Sequence, residues 1–250
     1  MLLPAELASP TCVNALGPYG RKTVTTVLLV DDEALAREIL RDYLSSDPTL
    51  HIVGEACDGK AAVVQASALR PDVILMDMQM PVMDGVAAAA QIHDAHPEIA
   101  ILGLSTFSTD RYVVDLLRAG ASGYLVKDAK PKEITTAIRT VMAGESVLSP
   151  EVTRHVVQGL STSVPAELIP NPTLVEVLTD KELEVIRLLG RGMSNREMAA
   201  ELFVTESTIK ARFVKVMKKL GVRDRVQILV AAVEHGLLDT RFGSRSAKGT

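Results

Sequence analysis

At 250 residues, with 47% hydrophobic and 23% charged side chains, the chain is long enough for one or two globular domains, and its composition excludes general disorder. There is no Trp and aromatics make up only 3%, so the cores must be built from Leu, Val, Ile, Ala and Met. The formal charge of -4 is unevenly divided: residues 1–171 carry 13 Lys and Arg against 21 Asp and Glu, and residues 172–250 carry 14 against 10, so a polyanion is expected to meet only the back of the chain.

Residues 1–24 hold Pro4, Pro10, Gly17, Pro18 and Gly20 with little periodicity and read as a flexible N-terminal tail. They lack a basic start followed by an apolar stretch, so no secretion signal is expected. From residue 25 short apolar runs alternate with helical patterns. Strands are predicted at Val27–Val30, His51–Glu55, Val73–Met76, Ile99–Leu104 and Gly123–Val126. Helices are predicted at Glu33–Ser46, Gly59–Leu69, Asp84–Ala95, Thr109–Ala119 and Pro131–Ala143, the first with Leu35, Ile39, Leu40 and Tyr43 on one face. Five strands alternating with five helices imply an α/β doubly wound five-stranded parallel sheet, covered on both faces. Residues 146–175, with Pro150, Pro165, Pro170 and Pro172, read as a linker with a short helix at Glu151–Gly159. Beyond it the pattern is purely helical. Thr179 is expected to cap Asp180–Leu189, Ser194 to cap Asn195–Leu202 and Thr205 to cap Glu206–Leu220, with Arg223–His235 following. Residues 239–250 are polar and rich in Gly and Ser and read as a disordered tail.

Cys12 and Cys57 fit no metal spacing and no redox pair and read as free thiols. No run of about 18 apolar residues exists, so no membrane span is expected. A cytoplasmic protein is the expectation.

In a doubly wound sheet, functional groups gather at the carboxyl ends of the strands. Strand one is followed by Asp31, Asp32 and Glu33, strand three by Asp77, strand four by Ser105 and strand five by Lys127. Acids, a hydroxyl and a lysine distant in sequence thus converge on one rim. Converging carboxylates repel unless a cation sits among them. Oxygen ligands with open positions suit Mg2+. A carboxylate can also attack phosphorus, with a lysine and a hydroxyl holding the phosphoryl oxygens. Singly, each group has a plainer role: acids after a strand cap the next helix, a lone lysine is solvated, and the methionines nearby fill the core. His51, His93, His96, His155 and His235 show no ligand spacing.

The stretches Val30-Asp31-Asp32-Glu33, Met76-Asp77-Met78-Gln79-Met80-Pro81-Val82-Met83-Asp84-Gly85, Leu104-Ser105 and Gly123-Tyr124-Leu125-Val126-Lys127 resemble the receiver domain family over residues 25–145. The resemblance implies a flavodoxin-like receiver in which Asp77 accepts a phosphoryl group from the phosphohistidine of a sensor histidine kinase. It implies Asp32 as main Mg2+ ligand, supported by Asp31, with Asp77 and the backbone carbonyl of Gln79 completing the site. Lys127 would pair with the phosphoryl group, Ser105 would bond one of its oxygens after moving toward it, and Tyr124 would be a rotameric switch. The alternative for Tyr124 is a strand aromatic that simply packs.

In the helical half, two helices joined by the tight turn Phe203-Val204-Thr205 form a helix-turn-helix, the second helix being the one for the major groove. Lys210, Arg212, Lys215, Lys218, Lys219, Arg223 and Arg225 follow Thr205, against only Glu206 and Asp224. Such cations supply salt-dependent phosphate affinity. Base reading is expected from Glu206, Ser207, Thr208 and Lys210 or Arg212. Thr205, Lys215 and Lys218 complete the expected contacts with double-stranded DNA. Residues 176–238 resemble the LuxR-type helix-turn-helix of NarL/FixJ response regulators through Leu178-Thr179, Glu182, Glu184-Val185, Gly192, Ser194-Asn195, Ala199, Leu202, Val204, Thr208-Ile209-Lys210, Lys219-Leu220-Gly221 and Arg223-Asp224-Arg225. That family implies Lys210 as a DNA contact and the last helix, with Val226, Leu229 and Val230, as a dimer surface. The alternative is that this face closes the small core. Ala211-Arg212-Phe213 stands where the family usually has Thr, His and Val, so base preference does not carry over.

The chain is therefore expected to be a phosphorylation-dependent transcription regulator, a homodimer when active, with no chemistry beyond its own phosphorylation and dephosphorylation. Two rivals remain at this point. An aspartyl phosphatase would place its nucleophile after the first strand in an Asp-x-Asp pattern, which this chain lacks there. An interaction module never phosphorylated would bind DNA constitutively.

Overall fold

The computed structural model describes residues 24–105, 110–145, 147–148, 153 and 177–238. These residues form β1 (Thr25–Val30), α1 (Ala34–Ser45), β2 (Leu50–Ala56), α2 (Gly59–Leu69), β3 (Val73–Asp77), α3 (Gly85–Ala95) and β4 (Ala100–Ser105). There follow α4 (Asp110–Arg118), β5 (Gly123–Val126), α5 (Pro131–Met142), α6 (Asp180–Gly190), α7 (Asn195–Glu201), α8 (Glu206–Leu220) and α9 (Arg225–Glu234). The two expected tails lie outside the described residues. So does the linker helix expected at 151–159, except for Thr153, which is helical and buried.

The five strands are parallel and ordered β2-β1-β3-β4-β5. β1, β3 and β4 are covered on both faces, which is why they read as near-continuous apolar runs rather than alternating ones. Alternate residues face opposite sides of the sheet. Leu28, Val30, Ile74, Met76 and Ile101 pack with Ala62, Ala66, Ala88, Ala89, Ile92 and Leu116 of α2, α3 and α4. Val27, Leu29, Leu75, Leu102 and Leu104 pack with Leu40 and Leu44 of α1 and Ile134, Ile138 and Val141 of α5. Strand order turns back on itself at β1, which lies between β2 and β3, so the crevice of the fold opens at the carboxyl ends of β1 and β3.

The expected apolar face of α1 needs correction. Leu40 and Leu44 are the buried residues, while Leu35, Ile39 and Tyr43 are exposed. Of the expected face only Leu40 turns inward, and with Leu44 it forms the stripe beside Leu35, Ile39 and Tyr43; contact with β1 and β2 decides which stripe is buried.

In the helical part α8 packs on α6, α7 and α9. The expected caps are present: the Ser194 and Thr205 hydroxyls accept from the N–H groups of Glu197 and Thr208, and the Glu182 carboxylate accepts from the Thr179 N–H. Gly221, at φ 68°, ends α8 in the left-handed conformation that favours glycine. The last helix starts two residues later than expected, because Asp224 accepts from the Gln227 N–H and is its cap. Val226, Leu229 and Val230 are buried, and α9 packs on α4 of the α/β unit as well as on α6 and α8. The face expected to offer a dimer surface is thus covered within one chain.

Candidate functional site

β1 delivers Asp31 and Asp32, β3 ends on Asp77, β4 ends on Ser105, and Lys127 follows β5. The parallel register brings these strand ends together without any sequence proximity. Asp31 and Asp77 are buried, while Asp32 and Gln79 are exposed at the mouth. The Lys127 ammonium lies 2.9 Å from Asp31 Oδ2 and 2.9 Å from Asp77 Oδ2, so one cation bridges two buried anions. The remaining oxygens are held by backbone: Asp31 Oδ1 accepts from Glu33 N–H at 2.9 Å and Asp77 Oδ1 from Gln79 N–H at 3.3 Å. Arg37 donates to the Asp31 carbonyl at 2.7 Å and fixes the turn. Close approach also needs Gly85, because a β-carbon there would run into the Asp77 carbonyl oxygen.

Burial pushes the Asp77 carboxyl above its ordinary range, and Lys127 and the Gln79 N–H oppose this. Lys127 is itself held above the usual lysine value: burial would lower it, but Asp31 and Asp77 outweigh that. A buried carboxylate raised by desolvation is brought down by further positive charge. Asp31, Asp32 and Asp77 each offer an oxygen within 4.8 Å of the others, a donor set suited to a hard divalent cation.

Ser105 is buried at the end of β4. Tyr124, half-buried on the neighbouring strand, is hydrogen-bonded to it, and burial raises the phenol's pKa. The predicted acids, hydroxyl, lysine and tyrosine therefore occupy one connected region.

In the helix-turn-helix, Thr205, Glu206, Ser207, Lys210, Lys215 and Lys218 are exposed and Thr208 is half-buried. The Thr205 hydroxyl is shared with Ser207 and Thr208, so it is partly committed to holding the helix start. Arg212 is less exposed than these lysines. It is half-buried on the flank of α8, and its Nη1 is shielded from solvent with no partner among the described residues.

Three arrangements escaped the sequence reading. The buried Glu182 accepts from Lys219 Nζ at 2.6 Å, tying α6 to α8. The capping pattern around Thr179 was legible, but the distant lysine was not. Gln227 Nε2 donates to the carbonyls of Leu117 at 3.2 Å and Ala121 at 2.8 Å, and Arg223 Nη1 to Ser122 Oγ at 2.9 Å, docking the helical unit on the end of α4. Lys210 Nζ lies 2.8 Å from Glu145, just beyond α5. No local pattern could have announced these contacts.

Residues 27–139 match the family model for the response regulator receiver domain, and residues 176–232 match that for bacterial regulatory proteins of the luxR family. The response regulator protein VraR of Staphylococcus aureus is 37% identical over 212 residues, covering 85% of this chain and 98% of VraR. A two-component response regulator of the LuxR family from Aurantimonas sp. SI85-9A1 is similar in structure, with TM-score 0.50, 28% identity and coverage of 54% of this chain and 96% of that one. The signal receiver domain of the putative response regulator NarL from Mycobacterium tuberculosis gives TM-score 0.48 and 35% identity, over 49% of this chain and 98% of that one.

Proposed function

Because this chain belongs to the response regulators that join a receiver domain to a LuxR-type DNA-binding domain, regulators of transcription under phosphorylation control, we propose that Asp77 is its phosphoacceptor and that phosphorylation frees the helix-turn-helix from the receiver. The observation that carries this reading is the placement of Lys127 at 2.9 Å from both Asp31 and Asp77 at the crevice between β1 and β3.

An Asp77 carboxylate oxygen attacks the phosphorus of a kinase phosphohistidine. The P–N bond breaks, the imidazole leaves, and an acyl phosphate remains on Asp77. Lys127 moves from pairing with carboxylates to pairing with the new phosphoryl oxygens. Asp32, Asp31, Asp77 and the Gln79 carbonyl would hold Mg2+, which neutralises charge on the transferring group. Ser105 would turn toward a phosphoryl oxygen and leave its hydrogen bond with Tyr124, so that the tyrosine, on β5 beside β4, changes position.

The far end of α4 is where Gln227 and Arg223 dock. A shift of α4 and β5 therefore acts on the same contacts that hold the two units together. Lys210, a cation expected at DNA phosphate or base edges, is paired with Glu145 in this arrangement and must leave it to bind DNA. Release frees Lys210 of the already exposed α8 and uncovers the α9 face with Val226, Leu229 and Val230, through which two copies would pair and read half-sites about one DNA turn apart. A protein acting on the chromosome in this way works in the cytoplasm.

The test has two parts. Acetyl phosphate with Mg2+ should label the wild-type chain, and Asp77→Asn should abolish labelling; persistent labelling refutes the acceptor assignment. Gel shifts on genomic fragments should strengthen with phosphodonor in the wild type and stay unchanged in Asp77→Asn.

A further inference from the structure

The outward face of α8 carries two apolar residues where a soluble helix would place polar ones. Ile209, Phe213 and Val216 are the buried residues of this helix. At about 100° per residue they centre one face, and the opposite stripe runs through Ser207, Ala211, Val214 and Lys218, within about 50° of its midline. The structure agrees: all four are exposed, and Val214 is 60% exposed. Lys210 and Lys215 border the stripe and are also exposed.

Val214 contributes little there to the fold. Valine is a mediocre helix former, and its largely exposed methyls gain little burial. The residues around it fix what kind of surface would cover it. Lys210, Lys215 and Lys218 make a basic frame around a small apolar centre, with Ser207 one turn toward the helix start. A phosphate-lined groove with an apolar spot on its floor complements this pattern. In the DNA major groove the one apolar feature on a base edge is the thymine 5-methyl group, and small apolar side chains contact it.

We propose that Ala211 and Val214 read thymine 5-methyl groups in the major groove of double-stranded DNA and are specificity-determining residues of this regulator. The inference rests on the DNA-binding reading given above and adds the base that is selected. Arg212, half-buried on the flank of α8, is not one of the readers. The lysines set position and salt dependence, and the two apolar residues set sequence.

The experiment uses the full chain with acetyl phosphate and Mg2+. Duplexes are selected from a random pool, and each thymidine of the enriched site is then replaced singly by deoxyuridine, which removes the methyl and leaves every hydrogen-bonding group in place. At one or two positions per half-site the wild type should lose about fourfold in affinity for each methyl removed, the weight of one buried carbon. In Val214→Ala, whose side chain is exposed so that folding is unaffected, the penalty at one of those positions should fall below about twofold. Ala211→Ser should diminish the penalty at the other. Deoxyuridine tolerated at every position, or penalties identical in wild type and Val214→Ala, overturns the methyl reading while leaving DNA binding standing. A pool that fails to enrich overturns DNA binding itself and this inference with it.

Discussion

At the scale of single residues, the site is governed by charge compensation in a buried place. Asp31 and Asp77 are both removed from water, and Lys127 is the one cation that touches both among the described residues. Removing one partner from such a group leaves like charges facing each other, which costs more than the pair ever contributed. Lys127→Ala should therefore lower stability by about 2 kcal/mol without Mg2+. Added Mg2+ should raise the melting temperature of the variant more than that of the wild type, because the ion restores the missing positive charge. Equal Mg2+ shifts in the two proteins would show that Lys127 and the metal answer to different groups. The acids, the hydroxyl and the lysine were all legible in the chain, because parallel strands deliver whatever follows them to one rim. What the chain did not reveal was the pairing. That Asp31, rather than the exposed Asp32, shares Lys127 with Asp77 follows from which side chain turns inward after β1.

At the scale of elements, Glu182 shows how a capping residue acquires a second task. Burial alone would raise its pKa, but the hydrogen bonds from Lys219 and Thr179 more than reverse this and hold it below the ordinary 4.5. A carboxyl whose folded pKa is depressed contributes stability that is complete above its unfolded pKa and disappears as pH falls through the folded one. The helix-turn-helix should thus lose stability progressively on acidification from about pH 4.5 downward. Glu182→Gln should flatten that part of the profile and cost about 2 kcal/mol at neutral pH, the weight of a charged hydrogen bond. Thermal melts across pH check both, and an unchanged acid limb in the variant would remove Glu182 from the account. Helix starts were well marked because Ser, Thr and Asp leave a local signature before an apolar run. The inward face of α1 was not, since both of its candidate stripes carry apolar residues and only the sheet chooses between them.

At the scale of the whole molecule, the two units meet at the end of the sheet opposite the acids. Gln227 donates to the carbonyl of Leu117 in the last turn of α4 and to that of Ala121 in the following turn, and Arg223 donates to Ser122, just before β5. Burial lowers the Arg223 pKa, while Asp224, Asp72 and Glu98 oppose that. The two neutral hydrogen bonds of Gln227 contribute about 1 kcal/mol each and the charged one from Arg223 about 2 kcal/mol. Gln227→Ala combined with Arg223→Ala should favour the separated form by about 4 kcal/mol, or roughly a thousandfold. Unphosphorylated protein carrying both changes should then bind DNA more tightly than unphosphorylated wild type, with a smaller further gain from phosphodonor. Glu145→Ala should act in the same direction through Lys210. Binding curves with the response to phosphodonor unaltered would mean that these contacts are incidental to control.

Local chemistry in the chain was enough to determine the alternation of strands and helices, the helix caps, the acidic rim, the basic recognition helix and the acidic-to-basic division. Each of these depends on neighbours in sequence or on a rule that parallel topology imposes on all strand ends alike. The bridging of Asp31 and Asp77 by Lys127, the burial of the α9 face against α4, the flanking position of Arg212 and the outward stripe of Ala211 and Val214 were decided by the tertiary structure alone. These depend on which surfaces of already-formed elements meet, a choice made by long-range packing that no short stretch of residues encodes.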